Sequence, residues 1–399
     1  MPAGPARSPA DNRLLTLPDE PAREAGLGGF LDAKPDVFGV YVHVPFCRDH
    51  CDYCAFSVAV GQEHLAERYS RAIERELAVW KDRGVPLPAD TVYLGGGTPS
   101  RLPPRLLAEI LGSIPRRPGA EVTMEVNPED LTDDALAAWV AAGVNRISLG
   151  VQATCAHVLA GIGRRQDASA GMQAAGLVSA AGLDSWGVDL IIGSPSETDA
   201  DLLQAIESLS ALEMPPSQVS CYLLTVESRT RLARDWRRHP DEEVLSRRYE
   251  LADEALAAHG YQWVEISNWA RPGGGCRHNL ATWSGAEYLG LGPSACSHWA
   301  GRRWENERSL RRWLACVEAG GSAVAESEVL EPYQVILERL VLALRTPSGV
   351  PRSALAGAID TYPELAELLD PSGEMLVLNR RGRLLCDAVA GYLDPAALG

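Results

Sequence analysis

From Phe38 onward, near-continuous apolar runs alternate with stretches of helical periodicity. The predicted strands are Gly39–Val44 (GVYVHV), Thr91–Leu94, Val122–Val126 (VTMEV), Arg146–Val151 (RISLGV), Gly187–Ile192 (GVDLII) and Val219–Leu224 (VSCYLL). Runs of this kind suit strands buried on both faces, as in parallel sheets. Helical periodicity fills the gaps, over His64–Arg83, Pro104–Ser113, Asp133–Ala142, Asp167–Ala181 and Asp199–Leu212. Each interval is long enough for a right-handed crossover helix. Six βα units in sequence predict an α/β fold, either an open, partial barrel or a doubly wound sheet. In both architectures chemistry gathers at the C-terminal ends of the strands.

The flanks differ from this core. Residues 1–36 are rich in Pro, Ala, Gly and Asp without periodicity, and read as a disordered leader. Beyond residue 300 the texture becomes an amphipathic helix at Leu330–Leu344, a small helix, a strand at Met375–Leu378, a turn at Asn379–Gly382 and a final helix ending near Leu393. Helices with a short hairpin predict a small winged-helix-like unit. The expected division is therefore 1–36, 37–300 and 301–399.

Composition narrows the function classes. The chain has 399 residues, 46% of them hydrophobic, which is ample for a large core. Its formal net charge of -16 repels phosphate backbones, so nucleic acid is not an expected partner. The first residues lack the apolar stretch of a signal peptide, and no apolar run reaches membrane-spanning length, so a cytoplasmic location is expected. In that reducing compartment, nine cysteines suggest metal ligands or reactive thiols ahead of disulfides.

Three of those cysteines stand together in YVHVPFCRDHCDYCAF, Tyr41–Phe56, directly after the first predicted strand. Cys47, Cys51 and Cys54 are separated by three and then two residues. Three thiolates on a tight loop can ligate three irons of a cubane and leave the fourth iron open. The alternative is a zinc ion, with His43 or His50 as fourth ligand.

The loop resembles the signature of the radical S-adenosylmethionine (SAM) superfamily. The surrounding YVHVPFC narrows the resemblance to the group of oxygen-independent coproporphyrinogen III dehydrogenases and HemW-like haem chaperones, and it extends from about Phe38 to the C-terminus. The resemblance implies a partial (β/α)6 barrel with a small C-terminal helical, winged-helix-like domain. It also implies a [4Fe-4S] cluster on Cys47, Cys51 and Cys54, exchangeable SAM, and an electron donor such as a flavodoxin or ferredoxin. LGGGTPS (Leu94–Ser100) is similar to the segment that meets the amino group of SAM, which carries the role to Gly96, Gly97 and Thr98. Glu125 in VTMEV, Gln152 in RISLGVQ, Arg164 in GIGRRQ and Asp189 in GVDLII match further cofactor-binding positions, with Arg165 as the neighbouring alternative to Arg164. Tyr41 and Tyr53 match positions that contact SAM in related oxidases, plain packing being the other reading of Tyr53.

Within that group, Phe56 separates the branches. The dehydrogenases carry a fourth Cys two residues after the third, and the chaperone branch has Phe there. Phe56 is accordingly grouped with the cofactor loop. EISNWARPGGGCRHNLATWSGAEY, Glu265–Tyr288, resembles the chaperone branch's EISNFA and HNxxYW segments. His278, Asn279 and Trp283 match as candidate haem contacts, and Thr282 replaces the tyrosine. A neutral imidazole is a good haem ligand. Cys276 could offer a thiolate, and Trp269, Trp283 and Trp299 flat apolar surface. The plain alternative is that His278 and Asn279 only tie a loop to the barrel. The resemblance implies a haem chaperone that passes haem, or another porphyrin, to an acceptor protein such as a membrane-bound respiratory protein. Its alternatives are oxidative decarboxylation of coproporphyrinogen III to protoporphyrinogen IX, or another radical SAM reaction. No catalytic residue is singled out, and both monomer and dimer fit.

Overall fold

A computed structural model describes residues 36–370 and 375–398. The leader expected at 1–36 lies, up to residue 35, outside the described residues. Six parallel strands follow in order: β1 Phe38–Val44, β2 Ala89–Gly96, β3 Arg116–Val126, β4 Arg146–Gln152, β5 Ser185–Ile192 and β6 Gln218–Leu223. The intervening helices are α1 Ala66–Asp82, α2 Pro104–Ser113, α3 Asp133–Ala141, α4 Ala156–Gly161, α5 Ala168–Ala180 and α6 Asp199–Ser210. Short polar caps start several of them. Thr132 and Asp167 accept from backbone N–H groups at the heads of α3 and α5, and Thr198 with Asp201 forms a reciprocal capping box on α6.

The sheet is larger than six strands. After α7 (Glu242–Ala258), β7 Gln262–Glu265 and β8 Asn268–Ala270 form a hairpin antiparallel to β6. After α8 (Arg277–Trp283), β9 Glu287–Leu291 returns across the molecule and pairs parallel with β1. Then β10 Cys296–Trp299, β11 Arg302–Asn306 and β12 Val324–Val329 continue antiparallel beyond it, with α9 Leu310–Glu318 inserted before the last. The order is β12-β11-β10-β9-β1-β2-β3-β4-β5-β6-β8-β7, an open, curved wall and not a closed barrel. Residue 301 falls in the turn between β10 and β11, inside this sheet, because Trp304 and Trp313 pack into the main core with Tyr69 and Trp80 of α1.

The strands have two different faces. Val40, Val42, Val92, Leu94, Val122, Met124, Leu149 and Val188 are buried in the core. The alternate residues Tyr41, Tyr93, Glu125, Ser148 and Asp189 occupy the other face. There Tyr41 pairs in register with Tyr93, and Glu125 with Ser148. The period-2 signal is masked in the sequence because several inward residues are aromatic and count as apolar.

A second core gathers Leu340, Leu344, Val350, Leu355, Leu376, Leu378 and Val389 from a C-terminal unit. Its elements are α10 Pro332–Leu344, β13 Val350–Pro351, α11 Ser353–Thr361, β14 Leu369–Asp370, β15 Met375–Leu378, α12 Arg380–Leu384 and α13 Cys386–Ala390. The expected turn at Asn379–Gly382 is the head of α12, since the Asn379 side chain caps it by accepting from Gly382 N–H at 3.0 Å. Asp253 of α7 clamps this unit to the sheet. It accepts from Arg380 at 2.6 Å, Arg383 at 3.0 Å and the Trp269 indole at 2.7 Å, while the Arg383 guanidinium lies 4.0 Å over the Trp263 ring. Among the described residues no helix is long and apolar enough to cross a membrane.

Candidate functional site

The cysteine loop leaves β1 at the C-terminal edge of the sheet. All three thiols are partly accessible and free of disulfides. They are close neighbours: charge on Cys51 and Cys54 bears on Cys47, and charge on Cys51 bears on Cys54. Burial pushes the Cys47 thiol up to about 11 and also raises that of Cys54. Thiols raised in this way, as at Cys47 and Cys54, become stable thiolates only against a strong positive centre, such as bound iron.

The donor set suits a cluster better than zinc. His43 uses both ring nitrogens, Nε2 against Ser57 O at 3.0 Å and Nδ1 against Tyr41 Oη at 3.2 Å. His50 Nε2 sits 3.0 Å from Cys54 O and closes the loop on itself. Both histidines serve the loop's own fold, which leaves three thiols. Three protein ligands suit a cubane with one open iron better than closed tetrahedral zinc.

Close packing holds the loop in place. The Leu232 N–H donates to Asp52 O at 2.8 Å, and Arg238 bridges the Asp52 carboxylate at 2.7 Å to the Gly161 carbonyl at 2.9 Å. Nothing in the sequence pattern marks this latch, because its partners lie 186 residues apart. Gly97 is required by close approach: a Cβ there would meet the Pro45 backbone at 2.7 Å. Gly96 has φ of 104°, a left-handed conformation natural to glycine.

Around the loop lie the other sequence-predicted residues. Cys47 Sγ is 3.3 Å from Thr98 Oγ1, which accepts from Asn127 at 3.3 Å, and Arg164 donates to Asn127 at 3.3 Å and to Tyr53 Oη at 3.3 Å. Arg164 therefore faces this network, whereas Arg165 is exposed. Asn127 is the residue sequence reasoning missed; its place one residue beyond β3 was the available signal. Tyr53 also packs against Ile162, Ile191, Leu224 and Leu232, so its ring is largely a packing element. Gln152 ends β4 with φ of 66°, a rare strained geometry for a non-glycine residue.

Deeper on the same face, Glu125 accepts from Tyr93 Oη at 2.9 Å and Gly96 N–H at 3.1 Å. Burial, then the nearby Asp189 charge, pushes its carboxyl up to about 7. Asp189 accepts from Ser148 Oγ at 3.1 Å, and burial raises its carboxyl as well. Two part-buried acids close together form a strongly negative patch once ionised, suited to an ammonium or sulfonium group.

The site opens into a cavity of about 1220 Å³ between the inner face of the sheet, α8 and the C-terminal unit. That exceeds the roughly 300–1,000 Å³ of ordinary small-molecule pockets. Tyr41, Tyr93, Glu125 and Phe56 line its cysteine-loop side, and Arg345 and Arg383 its far wall. Phe56 is 68% exposed, an apolar ring at the opening. His278, Asn279 and Trp283 all line the cavity from α8. His278 is buried, its Nδ1 2.9 Å from Thr91 Oγ1 and its ring 5.3 Å from that of Tyr93, and burial lowers its pKa to about 4. It is therefore a neutral imidazole, the form that binds iron. Trp283 hydrogen-bonds Glu265, and Thr282 Oγ1 donates to the His278 carbonyl at 3.0 Å.

Two expectations are corrected. Cys276 is buried below α8, 3.3 Å from Glu121, with its thiol pushed up to about 12 by burial, so it offers the cavity no thiolate. Trp269 is 0% exposed in the main core, so it offers no surface either.

The parallel sheet and the cysteine loop at its C-terminal edge define a radical SAM protein, and the model of the radical SAM superfamily matches residues 41–209. The wall is similar to that of coproporphyrinogen III oxidase (HemN) from Escherichia coli, a radical SAM enzyme, with a TM-score of 0.76, 22% identity and 89% of each chain covered. In sequence the chain is 38% identical over 381 residues to heme chaperone HemW of Mycobacterium tuberculosis, covering 92% of this chain and 97% of the relative. It is 35% identical over 347 residues to heme chaperone HemW of Synechocystis, covering 82% of each. The chain belongs to the HemW family of radical SAM proteins. That family implies a [4Fe-4S] cluster and SAM.

Proposed function

We propose that this protein is a haem chaperone: it takes haem into the cavity beneath α8 and passes it to an acceptor protein. The observation that carries the reading is the cavity itself. It joins the end of the cysteine loop, Ala55–Ser57, to a neutral buried imidazole, an indole and two arginines, within a family whose relatives are named as haem chaperones.

In this reading Cys47, Cys51 and Cys54 hold the [4Fe-4S] cluster, which supplies an open iron for SAM and an electron. Gly96, Gly97 and Thr98 bring backbone close to SAM, Glu125 accepts from its ammonium, and Gln152, Arg164 and Asp189 complete the surround. Tyr41 and Tyr93 form an aromatic floor, their rings 6.2 Å apart at 25°. Trp283 and Phe56 offer flat faces to a macrocycle, and Arg345 and Arg383 favour its carboxylates. Asn279, beside His278, supplies an amide to the same wall. Exposed Arg229, Arg234 and Arg237 with Trp236 lie in the segment whose Leu232 is bonded to Asp52. They suit docking of an acidic electron donor of the flavodoxin or ferredoxin type.

The pKa of Glu125 sets a pH dependence. The carboxyl is protonated below about 7 and charged above it. SAM affinity is expected to rise as pH increases through 7, because only the ionised form pairs with the ammonium. Glu125→Gln should weaken SAM binding about tenfold at pH 8, the cost of about one charge-assisted hydrogen bond, and flatten the profile. Equilibrium dialysis of SAM from pH 6 to 8.5 checks this; an unchanged profile in the variant would remove Glu125 from the SAM site.

The competing activity is oxidative decarboxylation of coproporphyrinogen III. Cluster-loaded protein given SAM, a strong reductant and coproporphyrinogen III is expected to yield no protoporphyrinogen IX by mass spectrometry. Stoichiometric protoporphyrinogen with 5′-deoxyadenosine would make the protein an oxidase instead.

A further inference from the structure

Away from the cysteine loop, a second set of metal-binding side chains meets between two helix starts. Cys155, His157 and Asp201 each place one ligand atom within 4.8 Å of the other two. Asp201 Oδ2 lies 3.0 Å from His157 Nε2, and the Cys155 thiol stands close enough to the same carboxylate to favour its charged form.

The arrangement is not a nucleophilic triad. In a triad the imidazole stands between the thiol and the acid. Here thiol and imidazole both converge on the acid, as ligands around one ion do. Helix capping does not account for it either. Cys155 occupies the N-cap position of α4 without making a side-chain cap bond, and His157 is exposed. Asp201 caps α6 with Thr198 alone. Its Oδ2 accepts from Thr198 N–H at 2.8 Å and Oγ1 at 2.6 Å. Those two bonds aim and fix the carboxylate, the support that ligating carboxylates characteristically receive. The fold therefore holds the acid in place, while Cys155, packed at the edge of the Ala153, Val158 and Leu159 cluster, and the exposed His157 cap no helix.

We propose that Cys155 Sγ, His157 Nε2 and a carboxylate oxygen of Asp201 bind a divalent d-block ion of the zinc class, with solvent completing the coordination. Mixed thiolate, imidazole and carboxylate donors suit zinc, whose bonds of about 2.0–2.3 Å bring such ligand atoms to about 3–4 Å from one another. On binding, the thiol loses its proton to solvent and the ion replaces the imidazole hydrogen bond to Asp201. The ion ties the β4–α4 connection, which directly follows Gln152, to the start of α6.

Cobalt(II) is the direct probe. In full-length protein carrying Cys47→Ala, Cys51→Ala and Cys54→Ala, one equivalent of Co²⁺ is expected to give thiolate-to-cobalt charge-transfer absorption in the near ultraviolet. Adding Cys155→Ser should abolish that band, and adding His157→Ala should weaken binding at least tenfold. A solvated-ion spectrum, or a band that survives Cys155→Ser and so comes from exposed Cys296 or another thiol, would overturn the proposal. Should the triple variant not fold, elemental analysis of cluster-loaded wild type exposed to zinc decides. One zinc beside the cluster iron, lost in Cys155→Ser/His157→Ala, is expected; equal zinc in both proteins contradicts it.

Discussion

Alanine at any one of Cys47, Cys51 or Cys54 is expected to abolish the iron–sulfur cluster, with iron and sulfide falling to background and the brown colour absent after reconstitution. The effect is close to complete because no spare ligand is at hand. His43 is engaged at both nitrogens by Ser57 and Tyr41, and His50 by the Cys54 carbonyl. The loop is anchored independently of the metal through Asp52, Arg238 and Leu232. Folding should therefore survive, and circular dichroism and urea midpoint should change little. Retention of full iron and sulfide in any single variant would defeat the cluster assignment; loss of fold together with iron would show that the loop depends on the metal.

Asp253→Ala carries the second large effect. Asp253 is buried, 9% exposed, and its carboxylate receives Arg380, Arg383 and the Trp269 indole. Its removal strands a guanidinium, half-enclosed against Trp263, and a buried indole N–H. Breaking such a buried pair costs about 3–5 kcal/mol, and the partial exposure of Arg380 sets the expectation at about 3 kcal/mol. The urea midpoint should fall accordingly. Arg383 and the neighbouring residues of the C-terminal unit also wall the cavity, so haem affinity should drop with it. Asp253→Asn, which keeps an acceptor for the indole, should recover part of the stability. A variant with wild-type midpoint would show that the clamp contributes nothing.

Legibility from sequence follows the range of the interactions. The six parallel strands and five of their helices were readable because each is signalled by its own short run of residues. The cysteine loop was readable for the same reason. The antiparallel additions were not: β9 sits beside β1 although the sequence places it after α8, and short segments such as Asn268–Ala270 carry no periodicity. The inward row of Tyr41, Tyr93 and Glu125 was hidden by its aromatic members. The candidate SAM residues gather on one face, and Arg164 over Arg165 was decided only by the contacts to Tyr53 and Asn127. Arg345 and Arg383 could not be foreseen as cavity walls, because they arrive from the C-terminal unit through the Asp253 clamp. Cys276 looked like a ligand by its spacing to His278, yet burial beside Glu121 removes it from the cavity.

The most direct test of the central claim is an anaerobic titration of haem into the cluster-loaded protein, followed by absorption and by haem retention on gel filtration. One haem retained per chain, with binding weakened at least tenfold by His278→Ala or Trp283→Ala and cluster iron unchanged, is the predicted result. No retained haem from protein with an intact cluster would contradict the account.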